Sequence, residues 1–301
     1  MDLNEIRRLG TEQSNHASSD LDTKSALEIA QVMNAEDSRV PAAVSKALPQ
    51  IAKVIDMVAE AISKKGRLIY VGAGTSGRIG ALDASECPPT FNTDPKTVQY
   101  VIAGGPRALG AAVEANEDSP ELGRKDIAKL KPSKKDIVIG LAASGRTPYT
   151  IAACEYARKK GARTACVVCN IGSPIASAVE VPIEVNVGPE VLAGSTRLKA
   201  GTAQKLVLNM ITTGAMTRLG YVYGNLMVNV HLKNAKLVER GIGILQKATG
   251  ADREQSIAAL KAARNQVPIA IVMLTAKTSA REAASRLKKA DGNLRRAIEA
   301  K

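Results

Sequence analysis

The chain reads as an α/β protein, a parallel sheet sandwiched between helices, with helices ahead of it and a small all-helical region behind it. Three observations predict this. Five short apolar runs alternate with segments of helical spacing between residues 67 and 187. Two of those runs end in turns rich in glycine and hydroxyl side chains that open directly into helices. Beyond residue 250 the strand-like runs stop while helical spacing continues. Strands separated by helices imply right-handed crossovers and a parallel sheet covered on both faces.

At the start, residues 22–34 and 36–64 show helical spacing, the second with Ile51, Val54, Ile55, Val58 and Ile62 on one face. The strand-forming runs are RLIYVGAG (67–74), TVQYVIAGG (97–105), DIVIGLAAS (136–144), TACVVCN (164–170) and VPIEVNV (181–187). Helical stretches fall between them near 76–87, 107–129, 148–160 and 173–178. Residues 198–219 form a long amphipathic helix, followed by another helical stretch to 248. ATGADR (248–253) reads as a hinge between a domain over 1–250 and a helical subdomain over 251–301. In that subdomain Leu260, Ala263, Val267, Ala270 and Ile271 recur 27 positions later as Leu287, Ala290, Leu294, Ala297 and Ile298, which suggests two similar helical units packed together.

Composition narrows the function. The net charge of +13 favours anionic ligands. An aromatic content of 2%, with no Trp and one Phe, disfavours a base-stacking nucleic-acid surface. No apolar run approaches the roughly 18 residues that span a bilayer. The first residues, MDLNEIRRLG, lack the layout of a secretory signal, so a cytoplasmic protein without nucleic-acid or membrane partners is expected. The cysteines are Cys87, Cys154, Cys166 and Cys169. Cys166 and Cys169 form a CxxC inside a strand-like run, where residues three apart face opposite sides and cannot share a metal. With only His16 and His231 in the chain, core-packing thiols are expected and no metal site.

The chemistry-bearing segments are three turns. In the first, Gly72, Gly74 and Gly77 permit a tight turn after the first apolar run, and Thr75 and Ser76 add hydroxyl donors. Free N–H groups and the positive end of a helix dipole favour a bound anion there, a phosphate above all. Glu86, one helix further on, is a carboxylate placed beside that anion. The second turn is Ser144, Gly145, Arg146 and Thr147, with Pro148 suited to the first helical turn. The third is Gly194, Ser195, Thr196 and Arg197, ahead of the long helix that carries Lys199 and Lys205. Ser and Thr cap helices for structural reasons too, so a single turn says little; three in one parallel-sheet chain say more. GAGTSG matches the glycine spacing of a dinucleotide loop, but the second strand ends in AGG rather than in an acid for a ribose, and no Walker loop is present. A compact phosphomonoester fits better.

GAGTSGR (72–78), ASECPPTF (84–91), AASGRTPY (142–149) and GSTRLKAGTAQKLVLNM (194–210) together resemble the N-acetylmuramic acid 6-phosphate etherases, members of the sugar isomerase (SIS) fold group. TEQSN (11–15), AEDSRV (35–40) and YGNLMVNV (223–230) extend the resemblance over nearly the whole chain; Asn229 stands where the family pattern has Asp. The resemblance implies an SIS-type sandwich, a homodimer, a sugar-phosphate substrate and two catalytic glutamates. One is Glu86 in ASEC; the other falls in VEANEDSPE as Glu117, with Glu114 and Asp118 as close neighbours. It also implies elimination of D-lactate followed by addition of water, a route that two carboxyl groups can run without metal or organic cofactor. Phosphate is then expected among Thr75, Ser76, Gly77, Ser144, Gly145, Arg146 and Thr147, and the sugar near Ser195 and Thr196. Which glutamate is acid and which is base stays open in the sequence. So do three other readings: an aldose–ketose isomerase of the same fold, a non-catalytic sugar-phosphate sensor like the vertebrate glucokinase regulator, and a nucleic-acid binder argued from charge alone.

Overall fold

A computed structural model describes residues 9–111, 113, 116–232 and 234–300. Helices α1 (Ala26–Asp37), α2 (Val40–Ser45) and α3 (Leu48–Ser63) lead into β1 (Leu68–Gly72), α4 (Gly74–Phe91) and β2 (Val98–Ile102). There follow α5 (Pro120–Lys129), β3 (Ile137–Leu141), α6 (Pro148–Lys159), β4 (Arg163–Val168), α7 (Pro174–Ala178) and β5 (Val181–Glu184). The long helix α8 (Lys199–Arg218) precedes a small hairpin of β6 (Val222–Tyr223) and β7 (Leu226–Met227). The chain ends in α9 (Ala235–Thr249), α10 (Arg253–Ala262), α11 (Val267–Ala276), α12 (Ala280–Lys289) and α13 (Leu294–Glu299).

All five expected strands form one parallel sheet in the order β2-β1-β3-β4-β5. After β2 the chain crosses back over β1 to form β3 on its other side, so the strand order reverses between β1 and β3. That crevice, at the carboxyl ends of the strands, is where ligands of open α/β sheets bind. On one face of the sheet, Ile69, Val71, Val138 and Cys166 pack against Ile127 of α5 and Ala153 and Cys154 of α6. On the other, the Tyr70 hydroxyl donates to Asp83 of α4 at 2.9 Å, and Asp83 also accepts from Asn209 (2.8 Å) and Thr212 (3.2 Å) of α8. Burial pushes the Asp83 carboxyl above its ordinary range against the pull of those bonds. The apolar faces of α3 and α8 are buried in the chain's own core through Ile51, Val54, Val207 and Ile211.

Several boundaries differ from the sequence reading. The stretch 36–64 is broken between Ser45 and Leu48, with prolines in the first turns of both α2 and α3. The stretch 107–129 contains a 3-10 turn (Gly105–Leu109) and α5, the latter opened by Ser119, whose side chain caps Leu122 N–H. The stretch after residue 219 opens with the β6–β7 hairpin before α9 begins. The stretch near 76–87 starts earlier and ends later, because α4 begins at Gly74 and runs through Pro88 and Pro89 to Phe91. Proline φ suits a helix; what is lost is the N–H owed to the carbonyl four residues back.

The chain divides into two compact units, residues 1–84 with 96–212, and 85–95 with 213–301. The hinge expected at 248–253 is therefore not where the units part. Val228, Val230, Ile242 and Leu245 share one core with Leu260, Val267 and Leu294, which groups the hairpin and α9 with the last helices. Within the second unit the 27-residue echo holds in detail. Asn265 N–H bonds the Leu260 carbonyl at 2.9 Å, and Gly292 N–H bonds the Leu287 carbonyl at 2.9 Å, so the turns after α10 and α12 close alike.

The two strands at the crevice are set at their other ends by an ion pair between a half-buried arginine and a buried aspartate. Arg67 and Asp136 immediately precede β1 and β3. Asp136 Oδ1 accepts from Arg67 N (2.9 Å) and Nε (3.0 Å), Oδ2 accepts from Nη2 (2.9 Å), and Ser133 N–H adds a bond at 2.9 Å. Burial opposes the charge on Asp136, but the guanidinium and the Ser133 bonds outweigh it and hold the carboxyl below its ordinary value of 3.8. A carboxyl depressed on folding stabilises the fold above that value and loses the contribution as pH falls through its lower folded value. Asp136→Ala should cost about 1.5–3 kcal/mol near neutral pH, because the guanidinium left behind keeps access to water. The gap to the unaltered chain should shrink as urea unfolding is repeated in steps below pH 4; a gap independent of pH would contradict this role.

Candidate active site

The first turn is built by a close approach of helix to strand. Gly74 is left-handed (φ 51°), and a side chain at Gly77 would stand 2.6 Å from Ile102 Cγ1 and 3.0 Å from the main chain of Gly72. Glycine there lets α4 start hard against β1, with Gly77 N–H bonding the Ala73 carbonyl at 3.0 Å. The N–H groups of Thr75 and Ser76 precede that bond at the helix start. Ser76 is buried and Thr75 half-buried.

The second turn follows β3, whose Leu141 pairs with Gly72 of β1. Gly145 is left-handed (φ 69°) and lies against Ser173; a side chain there would meet Ser173 Oγ at 2.3 Å. Gly145 N–H bonds the Ala142 carbonyl (3.0 Å), and Ser144 Oγ accepts from Arg146 N–H (3.2 Å). Glu117 is brought to this turn by its main chain, since its carbonyl accepts Tyr149 N–H at the start of α6 (3.0 Å). Below it, α5 presses on the same residue. A side chain at Gly123 would come within 2.1 Å of the Tyr149 carbonyl, and the Tyr149 hydroxyl donates to Asp126 at 2.9 Å. Glu117 is half-buried, Asp118 is exposed, and Glu114 lies outside the described residues. Of the two acids among the described residues, Glu117 is the one whose main chain is tied to a hydroxyl-bearing turn.

The third turn meets the first. Gly201, on the first turn of α8, faces α4: a methyl there would stand 3.6 Å from Ile79 Cδ1, 3.7 Å from Thr75 Cγ2 and 3.6 Å from the Thr196 carbonyl oxygen. Ser195 and Thr196 are half-buried and Arg197 exposed. The start of α8, however, is already occupied by an anion of the protein itself. The Glu190 carboxylate accepts Lys199 N–H and Ala200 N–H, both at 2.9 Å. Burial raises the Glu190 carboxyl above its ordinary range against those two bonds. At α6, Pro148 has no N–H and Tyr149 N–H is spent on Glu117. The start of α4 is thus the most open of the three to an anion, with the Ser144 and Thr147 hydroxyls in the turn that follows the neighbouring strand.

Glu86 lies on α4, ten residues beyond Ser76, at an exposed position in the second unit. The grouping of Thr75, Ser76, Ser144–Thr147, Ser195, Thr196 and Glu117 belongs to the first unit alone. Sequence reasoning missed Glu190, and it quoted AEDSRV and TEQSN without a role for Glu36 or Asn15. The Pro-Glu pair at 189–190, just ahead of the third turn, is the only local signal for Glu190. The four cysteines are buried free thiols. Burial pushes the Cys166 and Cys169 thiols up to about 12. Cys166 faces α6 and Cys169 points at the Ala200 carbonyl, so the CxxC is split between two sides as its spacing predicts.

A family model of the glucokinase regulatory protein N-terminal SIS domain matches residues 50–158, and a model of the SIS domain matches residues 126–214. Phosphoheptose isomerases of Francisella tularensis and Neisseria gonorrhoeae superpose with TM-scores of 0.53 and 0.51 at 16% and 15% identity, each over 64% of this chain and 100% of the other. These likenesses show the fold. Curated relatives named N-acetylmuramic acid 6-phosphate etherase come from Serratia proteamaculans, 54% identical over 96% of this chain and 98% of the relative, and Klebsiella aerogenes, 52% identical over 98% of both. Another, from Clostridium beijerinckii, is 50% identical over 98% of this chain and 97% of the relative. Identity at this level over the full length, on a sheet with hydroxyl turns at its crevice, means that the chain belongs to the N-acetylmuramic acid 6-phosphate etherase family.

Proposed function

We propose that the protein is a carbon–oxygen lyase that cleaves the D-lactyl ether of N-acetylmuramic acid 6-phosphate, giving N-acetylglucosamine 6-phosphate and D-lactate. The observation that carries this reading is the full-length identity to relatives of that name, in a chain whose hydroxyl turns meet at the β1/β3 crevice. The phosphate lies at the start of α4 among Thr75, Ser76, Gly77 and the Ser144–Thr147 turn, and the sugar reaches Ser195 and Thr196.

An alkyl ether resists direct hydrolysis because alkoxide is a poor leaving group. In the open-chain aldehyde the C2 proton is acidic, since the electron pair left behind is delocalised onto the C1 carbonyl. Glu117 removes that proton; the C2–C3 double bond forms as the C3–O bond breaks, and Glu86 protonates the departing lactate oxygen. Glu86, now a carboxylate, takes a proton from water as the oxygen adds to C3, and C2 is reprotonated by Glu117. Each carboxyl contributes on the order of 10²–10⁴-fold, and the anchored phosphate restricts the motion of the open chain. No step calls for a metal or an organic cofactor. We read the enzyme as a homodimer in the cytoplasm. Four free thiols suit a reducing compartment, and the exposed Leu82 and Met210 are apolar residues that a second copy could cover.

Reaction in ¹⁸O-labelled water should place the label in the amino sugar and leave lactate unlabelled; label in lactate would refute elimination and rehydration. Glu86→Gln should still exchange the substrate C2 proton for solvent deuterium while releasing no lactate, and Glu117→Gln should lose the exchange. The opposite pattern would exchange the two roles. Ser76→Ala, which removes a hydroxyl at the start of α4, should raise KM about tenfold or more for a lost bond to a charged group. An unchanged KM would take Ser76 out of the phosphate site.

A further inference from the structure

The loop from Val191 to Leu198 carries Ser195 and Thr196, and its two ends are joined by one side chain. Glu190 stands at its beginning with no exposed surface, and its two carboxylate oxygens hold the N–H groups of Lys199 and Ala200 at its end. The Lys199 ammonium is also buried and donates to Glu36 Oε2 at 2.6 Å. The same oxygen accepts from Asn15 Nδ2 at 2.8 Å, and that amide donates again to the Pro189 carbonyl at 3.2 Å. Arg39, at the surface, meets the other Glu36 oxygen at 2.9 Å. Burial opposes the charge on Glu36, but the bonds from Lys199 and Asn15 hold its carboxyl below the ordinary range. The N-terminal segment crosses the loop at two more points. Ser18 Oγ donates to the Val191 carbonyl (2.7 Å), and Gly194 N–H donates to the Thr11 carbonyl (3.1 Å).

Segments far apart in the chain, TEQSN, AEDSRV and GSTRLKAG, therefore meet around one ammonium and two carboxylates. As a source of stability this arrangement is poor. Desolvation offsets much of the attraction in a buried ion pair, and an apolar cluster of similar volume often does as well or better. What it supplies is direction, because each charged group is satisfied in only one arrangement of the loop ends.

We propose that Glu190, Lys199, Glu36 and Asn15 act together as positioning residues that fix the Gly194–Arg197 loop in the conformation that takes the sugar. This rests on the assignment of Ser195 and Thr196 to the sugar. Glu190→Gln preserves shape but leaves one acceptor oxygen for two N–H groups. If the loop then holds its competent form only a tenth of the time, KM and the Kd for N-acetylglucosamine 6-phosphate rise about tenfold while kcat stays within about threefold. Glu36→Gln, Lys199→Met and the double variant form a cycle. For residues acting as one unit, the double variant should lose no more binding than the worse single variant.

The measurements are lactate release against substrate concentration, calorimetric binding of N-acetylglucosamine 6-phosphate, and thermal unfolding of each full-length variant. An unchanged KM and Kd in a folded Glu190→Gln, or a fall in kcat alone that matches the folded fraction, would overturn the proposal and leave a purely structural role. Should Glu190→Gln fail to fold, Asn15→Ala removes the bonds to Glu36 and to the Pro189 carbonyl, and Ser18→Ala removes the bond to the Val191 carbonyl. Each should raise KM by about two- to fivefold on the same population argument, and unchanged values in both would overturn it. Lactate release by the unaltered chain tests the reaction, and product binding by the variants tests the loop, so the two can fail separately.

Discussion

β1 and β3 lie side by side although β2 separates them in the chain, and the Arg67–Asp136 pair ties their amino ends together with three bonds from one residue to the other. Parallel pairing from that point carries Gly72 opposite Leu141, so the turns that leave the two strands are neighbours. Everything proposed about ligand binding depends on this alignment. A slip of one residue would turn every strand side chain to the other face and would separate Thr75 and Ser76 from Ser144 and Thr147.

The three helix starts at this end of the sheet are similar in sequence and different in electrostatic state. Each has glycine and hydroxyl side chains at or just ahead of its first turn, and each in isolation would attract an anion through its N–H groups and dipole. The protein's own groups occupy two of them. Glu190 supplies a carboxylate to α8, and the Glu117 carbonyl takes the Tyr149 N–H of α6, where Pro148 has no N–H to offer. The bond that occupies the start of α6 also fixes the main chain of Glu117.

Helix α4 joins different kinds of packing. Its first half is held against the sheet by Gly77, by Gly80 over Tyr70 and Leu141, and by the buried Asp83. Its second half contains Pro88 and Pro89 and belongs to the other compact unit. The division falls between Ala84 and Ser85, the residues whose carbonyls lose their helical donors to the two prolines. Missing ladder bonds at that point make it the weakest place in the helix and a natural one for a boundary.

By itself the sequence determined the five strands of the parallel sheet and their order along the chain, most of the helices between them, the hydroxyl-bearing segments, the opposed faces of Cys166 and Cys169, and the family. Those are properties of local spacing, of residue types that permit a particular backbone, and of long ordered motifs, and all of them survive being read along a line. The two compact units were not legible, because the hinge at 248–253 is a local signal whereas the core that unites Val228 with Leu260 and Leu294 is not. Nor was the continuation of α4 through two prolines, which on local grounds should end it. The roles of Glu190, Glu36 and Asn15 came from the tertiary structure alone. Glu190 becomes a loop clasp through what it is buried against, and Glu36 lies 163 residues along the chain from the Lys199 ammonium that it holds.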